Sequence, residues 1–334
     1  MTRIAILGAS GFLGSAVSDW AGRLGADAEP LRAPRLGPSS VHPIVEASDR
    51  WCRAEPAAFA ELSRRLAPFD TVVNASGIAD PGSTDRAGLF AADAIQPVVV
   101  ARAAAAAGVR RLVHVSTAAV QGRREPLDET PAWSPLSPYA EAKAEAERLL
   151  LVDHHGRLPP EVVVYRPTSV HGAGRAVTAN LARLAAGLPV VAVCGSGAHP
   201  VPVALVDNVA AGIVFAATAP ALPRLVLQPW EGLTARRLLE LFGATRFLRL
   251  PEAVARPAIG VAARCVRCSP PASARLRRLE LVLRGQAVRA GHLADLGFRP
   301  PVGFEGWERL ADEERRRRRG TPRFASHVTA RLST

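Results

Sequence analysis

The stretch RIAILGASGFLG, residues 3–14, decides the fold. RIAIL (3–7) is a short, mostly apolar run typical of a buried β-strand, and glycines follow at positions 8, 11 and 14. Glycines at this spacing allow a tight turn, let the backbone approach a pyrophosphate and leave the first amides of a following helix facing it. The segment therefore predicts a strand, a phosphate-binding loop and a helix.

Beyond this segment, apolar runs alternate with Ala- and Leu-rich helical stretches, which predicts a parallel sheet covered by helices. The predicted strands are residues 3–7, 28–32, 42–46, 71–75, 111–116 and 162–166, and the predicted helices lie near 12–24, 56–67, 87–107 and 137–153. We expect an α/β fold: a Rossmann-like, doubly wound domain over 1–170, to which a strand at 225–228 returns, and a smaller, mostly helical substrate-binding region over 171–334. A helix at 252–268 fits packing on its own domain better than lying on a membrane surface.

The single lysine of the chain, Lys143, lies four residues after Tyr139, one of two tyrosines. Both fall in SPYAEAK, a stretch rich in helix formers, so their side chains project from one helix face. A phenol with a pKa of about 10 is a poor base at neutral pH, and a nearby ammonium group favours its phenolate form. Ser116 and Thr117 end a predicted strand, where a hydroxyl can hydrogen-bond a substrate oxygen. The pattern predicts a proton-transfer site beside a bound nucleotide.

In this order the segments resemble the extended short-chain dehydrogenases/reductases, also called the NAD-dependent epimerase/dehydratase family, and in character the nucleotide-sugar epimerases and keto-reductases. Further matching segments are VVNASG (72–77), HVSTAAVQG (114–122), RPTSVHG (166–172), LVDNVA (205–210) and LGFRP (296–300). The resemblance implies that Thr117, Tyr139 and Lys143 are catalytic and that Tyr139 and Lys143 also bind a nicotinamide cofactor. The other cofactor contacts that it implies are Gly8, Ser10, Gly11, Phe12, Leu13, Gly14, Asn74, Ala75, Ser76, Arg166 and Pro167.

Several residues depart from the family pattern. Ala118 and Ala119 stand where dehydratases of nucleotide sugars carry an acidic pair, which disfavours dehydration. Val201 lies where nucleotide-sugar enzymes often have an arginine for the substrate diphosphate, although Arg289 and other arginines of the last third could serve. The remaining departures are Gln121 and His171 in place of tyrosines, and Asp93 in place of an asparagine.

The end of the second strand bears on the choice of cofactor. An acid there would bind the ribose 2′-hydroxyl of NAD, whereas an arginine would accept the 2′-phosphate of NADP. Arg32 takes this place and Arg35 is near, although Asp27 or Glu29 could still reach the ribose. We therefore expect NADP(H) to be preferred, with NAD(H) as the alternative.

These residues predict an oxidoreductase that moves a hydride to or from a sugar carbon. The favoured reactions are reduction of a keto-sugar nucleotide and 4-epimerisation through a transient ketone. The alternatives are an NADPH-dependent reductase of a steroid-, flavonoid- or polyketide-like ketone, and a non-catalytic cofactor-binding regulator, which the intact Thr/Tyr/Lys set disfavours. The resemblance also suggests a homodimer formed through the helices at 87–107 and 137–153.

Charge and cysteine content limit the partners. The net charge of +12 lies entirely in residues 224–334, which hold 22 basic and 10 acidic side chains. A solvated arginine-rich surface, or one that holds a phosphorylated small molecule, explains this excess without nucleic acid. Four cysteines form no disulfide framework, and the C-x-x-C at 265–268 lacks partners for zinc, so no metal is expected. We expect no signal peptide or transmembrane segment, and hence a cytoplasmic protein.

Overall fold

A computed structural model describes residues 2–38, 43–152, 160–266 and 268–320. The strands are β1 Arg3–Leu7, β2 Asp27–Leu31, β3 Thr71–Asn74, β4 Arg111–Val115, β5 Glu161–Arg166, β6 Ser169–His171, β7 Val191–Cys194, β8 Val203–Leu205, β9 Leu225–Leu227 and β10 Phe247–Leu250. The helices are α1 Phe12–Arg23, α2 Ile44–Ala54, α3 Pro56–Leu66, α4 Arg86–Phe90, α5 Gln96–Ala106, α6 Pro138–Val152, α7 Ala176–Gly187, α8 Val206–Thr218, α9 Ala235–Leu241, α10 Glu252–Val266, α11 Pro270–Arg284, α12 His292–Asp295 and α13 Phe304–Gly320. A π-helical turn, Ala91–Ile95, joins α4 to α5, and a 3-10 turn, Ala118–Gln121, follows β4.

The main sheet has six parallel strands in the order β2-β1-β3-β4-β5-β9. Alternate residues of β1 face opposite cores: Ile4 and Ile6 pack in the cluster that includes α1 and α8, and Ala5 and Leu7 pack in the cluster that includes α3 and α5. Parallel strands covered on both faces must be apolar throughout, which is why the runs do not alternate. The predicted Rossmann-like α/β fold is confirmed.

The predicted strand at 42–46 is wrong, because helix α2 begins at Ile44. Ile44, Ala47 and Ser48 are buried and Trp51 packs partly against the same core, so the apolar side chains follow helical spacing. Pro43 precedes the helix, where its missing N–H costs no intrahelical hydrogen bond. TVVN is consequently the third strand of the sheet rather than the fourth.

The chain after residue 170 contributes to two bodies of structure. Helix α8 packs against α1, and β9 pairs with β5, so both belong to the layers of the main sheet. Helix α12 lies against β9, and two small parallel sheets, β6 with β8 and β7 with β10, form the rest together with the helices α7, α9 to α11 and α13. The division at residue 170 stays a prediction.

Among the described residues, one helical stretch is long and apolar enough to cross a membrane by length and composition, 86–106, formed by α4, the π-turn and α5. Of its apolar window, 78% is buried inside the protein, against the sheet and neighbouring helices. This burial is typical of a core helix.

Candidate active site

A cleft of about 860 Å³ opens at the carboxyl ends of β1, β3 and β4. The chain runs from β1 to β2 on one side and then crosses to β3 on the other, so the cleft lies where the strand order reverses. Open α/β sheets bind their ligands at this switch point. The cleft volume falls in the range of small-molecule and cofactor sites.

The glycine loop forms one wall of the cleft. Gly8 has a positive φ of 86°, and its carbonyl accepts a hydrogen bond from the Gly11 amide at 2.9 Å. A Cβ on Gly14 would overlap that carbonyl, so the loop can close only with glycine there. Helix α1 then begins without a side-chain cap, which leaves its first amides for an anion such as a pyrophosphate.

Tyr139, Lys143 and Thr117 all line the cleft. Tyr139 and Lys143 lie one turn apart on α6 and are both nearly buried, with exposed fractions of 9% and 4%. Thr117 lies directly beyond β4, and its hydroxyl, which accepts from the Ala119 amide at 3.2 Å, lowers the pKa of the Tyr139 phenol. The Lys143 ammonium donates to the Val115 carbonyl at 3.0 Å and lies 3.0 Å from a carboxylate oxygen of Asp93.

The electrostatics at Tyr139 differ from the expectation. Burial raises the pKa of the phenol above its usual value, and this effect outweighs the ammonium of Lys143, which lowers it. The Asp93 carboxylate acts in the same direction as burial. Lys143 therefore does favour the phenolate, as expected, but burial and Asp93 together leave the pKa of Tyr139 above its usual value.

Ser116, which shares the strand end with Thr117, also lines the cleft. Its hydroxyl is buried and has no hydrogen-bond partner among the described residues. Thr117 is the hydroxyl that lowers the pKa of Tyr139, and its catalytic role stays a prediction.

The predicted cofactor residues divide into two groups. Those that line the cleft are Gly11, Phe12, Leu13, Gly14, Ala75, Ser76, Tyr139, Lys143 and Pro167. Gly8 supports the loop from below, Ser10 and Arg32 are exposed outside the cleft, and Asn74 is buried beneath it. Asn74 exchanges hydrogen bonds with Gln96 and Ser76, which fixes the loop after β3.

The prediction that Arg166 contacts the cofactor is corrected, because Arg166 does not line the cleft. Its guanidinium is fully buried and pairs with Glu147 at 2.6 Å, and it also donates to the Thr130 carbonyl at 2.9 Å. Trp133 donates to the same carboxylate at 2.8 Å. The guanidinium is thus committed to joining β5 to α6 rather than to a cofactor.

Several positively charged side chains of the cleft were not predicted from the sequence. Arg123, Arg175, Arg277 and Arg278 line it, whereas the described cleft carboxylates are Asp80 and Asp93. Arg175 stacks over the Phe12 ring with its guanidinium 4.9 Å from the ring centroid, beside the glycine loop. Its place shortly after RPTSVHG is the signal that could have identified it. Arg289 is exposed and Val201 lies in a core cluster, and neither lines the cleft.

The glycine cradle, the uncapped start of α1 and the Tyr/Lys pair in one cleft fit a dinucleotide. The sequence model of the NAD-dependent epimerase/dehydratase family matches residues 4–225. The protein belongs to this family. It is therefore an NAD(P)-dependent enzyme of the epimerase/dehydratase type.

Solved structures share the family fold over almost their whole length. The UDP-glucose 4-epimerase of Thermus thermophilus, in complex with NAD, has 22% identity and a TM-score of 0.62, and the match covers 94% of this chain and 99% of that one. The UDP-glucuronic acid 4-epimerase of Bacillus cereus, also with NAD, has 15% identity and a TM-score of 0.64, with 96% and 99% covered. The dTDP-glucose 4,6-dehydratase of Streptomyces venezuelae has 19% identity and a TM-score of 0.62, with 95% and 98% covered. No curated protein sequence matches the chain significantly.

Proposed function

We propose that the enzyme reduces a keto-sugar nucleotide or epimerises a nucleotide sugar at C4 through a transient ketone. The observation that carries this proposal is the meeting of Thr117, Tyr139 and Lys143 in a cleft rich in arginine. The structural neighbours bound to nucleotide sugars or NAD support it. A nicotinamide held there would supply or accept the hydride.

The three side chains divide the remaining work. Because Thr117 and Tyr139 line the same cleft and the Thr117 hydroxyl acts on the phenol, both hydroxyls can reach one substrate oxygen. Thr117 orients that oxygen, and Tyr139 gives it a proton in reduction or takes one in oxidation. Lys143 holds its charge beside the phenol and is itself fixed by the Val115 carbonyl. Its ammonium can also donate to a cofactor ribose hydroxyl.

The charge of the cleft supports a phosphorylated substrate. Arg123 and Arg277 are paired with the buried Glu280, so their positions are fixed. Arg175 and Arg278 line the cleft with no ion pair to a described carboxylate, which leaves their charge for phosphate oxygens. These arginines replace the one that is missing at Val201.

Dehydration is disfavoured at this site. Ala118 and Ala119 line the cleft at the positions where an acid and a base would have to remove water. Of the described carboxylates in the lining, Asp93 is buried against Lys143 and Asp80 lies in the loop after β3. Neither takes the place of the missing acidic pair.

A second candidate is the reduction of a non-sugar ketone. Apolar side chains from α10 and α11 line the substrate side of the cleft: Ala263, Val266, Leu276 and Leu281. They would suit an apolar substrate body. An assay of the purified protein decides between the candidates: NADPH oxidation with nucleotide 4-keto-sugars, measured beside steroid-, flavonoid- and polyketide-like ketones.

We expect turnover with the keto-sugar nucleotides and little with the simple ketones. Tyr139→Phe should abolish turnover but leave NADPH binding almost unchanged. Preferred turnover of the apolar ketones would reject the sugar proposal, and unchanged activity of Tyr139→Phe would reject the mechanism.

We propose NADP(H) as the preferred cofactor. Asp27 is paired with Arg3 at the amino end of β2, about 13 Å along the strand from the end that faces the cofactor. Arg32 directly follows the carboxyl end of β2 and is exposed. The neighbours with bound NAD do not support this preference, so it depends on Arg32.

A homodimer through the helices at 87–107 and 137–153 also stays a proposal. Val99, Val100 and Ala103 of α5 are fully buried within the protomer, under α2 and α3. Little of α5 is thus left for a partner. Light scattering after size exclusion tests whether the protein is a dimer.

A further inference from the structure

Asp93 is a fully buried carboxylate in the cleft lining. It lies in the π-helical turn Ala91–Ile95 between α4 and α5, and such turns inside α-helices are frequent at functional sites. Both of its oxygens accept from the Ile78 amide at 3.3 Å. A Cβ on Gly77 would overlap the carboxylate, so glycine at this position lets Asp93 approach the cleft.

The partner of Asp93 is the catalytic lysine. The carboxylate lies 3.0 Å from the Lys143 Nζ, and both side chains are almost completely buried, with exposed fractions of 0% and 5%. Opposite charges this close in a buried site cancel most of each other's field at a third group. That third group is the Tyr139 phenol, one turn before Lys143.

We propose that Asp93 is a positioning residue that neutralises the Lys143 ammonium, so that Tyr139 keeps its proton and the site is set for reduction rather than for alcohol oxidation. The proposal rests on the proposed function and specifies its direction. It follows from the departure of this chain from an uncharged asparagine at position 93.

Other charged groups around the pair do not replace this effect. Arg175, at the start of α7, lowers the pKa of Tyr139 only as the last of several contributions. Glu147 of α6 adds to the negative charge near Lys143. His114 of β4 faces Lys143, and burial lowers its pKa so far that it stays neutral. Asp93 is therefore the carboxylate that dominates the charge balance at Lys143.

The direction of reaction follows from the state of the phenol. In reduction, the carbonyl carbon gains the hydride and its oxygen gains the Tyr139 proton, which solvent then returns. In oxidation, the phenolate must accept the proton of the substrate alcohol while the carbon loses its hydride. A phenol with a pKa of 10 or more is ionised in about one molecule in a thousand at pH 7. A 4-epimerase must begin with this oxidation, so the ion pair favours a reductase.

The titration of Tyr139 tests the inference without any substrate. The chain has two tyrosines, and burial raises the pKa of Tyr165 far above the usual range. Carbon-13 NMR of ring-labelled tyrosine in the folded protein therefore follows the ionisation of Tyr139 alone, and Tyr139→Phe confirms the assignment.

The decisive variant is Asp93→Asn, which keeps the side-chain shape and removes the charge. We expect the pKa of Tyr139 to fall by about one unit or more. At saturating substrate near pH 7, the ratio of kcat for alcohol oxidation to kcat for ketone reduction should rise by about tenfold. A role in folding alone would lower the stability without moving the pKa, so an unchanged pKa in folded Asp93→Asn would overturn the inference.

A second variant covers the case in which Asp93→Asn does not fold. Asp93→Asn combined with Lys143→Met removes both charges, and because the pair is nearly neutral, the pKa of Tyr139 should stay within about half a unit of the wild-type value. If the pKa of Tyr139 rose by more than one unit in this double variant, the Lys143 charge would be acting on the phenol without being cancelled by Asp93. That result would overturn the inference. Failure to turn over keto-sugars would instead reject the proposed function and leave the titration result standing.

Discussion

Replacing Glu147 by Gln should destabilise the protein by about 3–5 kcal/mol, because it leaves a buried guanidinium without a counter-ion. Arg166 and Glu147 are both 0% exposed and lie 2.6 Å apart. Gln has the shape of Glu and can still accept hydrogen bonds, so the change removes charge with little loss of packing. The Trp133 indole would also lose its charged acceptor.

A matched control separates burial from pairing. Glu313 pairs with Arg317 at 2.8 Å, a similar distance, but both side chains are 47% exposed. Water screens such a pair, so Glu313→Gln should change the free energy of unfolding by about 0–1 kcal/mol. The measurement is urea unfolding of the two variants and the wild type, followed by tryptophan fluorescence.

A second control asks whether the charge or the volume matters. Glu147→Leu combined with Arg166→Met keeps the volume apolar and should recover most of the lost stability, since no buried charge is then left unpaired. Equal losses for Glu147→Gln and Glu313→Gln would refute the reasoning. So would a double variant that is less stable than Glu147→Gln.

Three further predictions concern the cofactor and pH. Gly14→Ala should abolish NADPH binding in a fluorescence titration, because its Cβ would overlap the loop, whereas Gly22→Ala on the same helix meets nothing within 4 Å and should bind normally. Arg32→Glu should raise the Michaelis constant for NADPH relative to NADH by about tenfold or more, and an unchanged ratio would reject the cofactor proposal. Burial lowers the pKa of His171 to about 3, so the unfolded chain binds the extra proton between pH 6.5 and 3, and stability should fall as the pH drops through this window. Urea unfolding across these pH values should show a shallower fall for His171→Gln, and equal slopes would contradict the assignment.

The catalytic set could be predicted from the sequence because its information is local. The spacing of Tyr139 and Lys143 and the end of β4 at Thr117 each depend on a few neighbouring residues. The glycine loop likewise requires only one turn between a strand and a helix. These segments come together because parallel strands end at the same edge of the sheet.

Pairings between distant segments could not be predicted in this way. Glu147 and Arg166 lie 19 residues apart on different elements, and their contact removes Arg166 from the cleft. Asp93 and Lys143 are brought together only when the π-turn packs against α6. The strand predicted at 42–46 failed because five residues are too few to distinguish a strand from the first turn of α2.

The position of β9 has a consequence for synthesis on the ribosome. The last strand of the main sheet begins at Leu225, whereas its neighbour β5 ends at Arg166. At about 5–20 residues per second, the nascent chain waits roughly 3–12 s between the two. During this interval β5 presents an unpaired apolar edge, and until residues 206–218 are made α1 also lacks its cover from α8, so the nascent protein is open to aggregation. We expect chaperones to bind the nascent chain mainly during this interval, when these apolar surfaces are exposed.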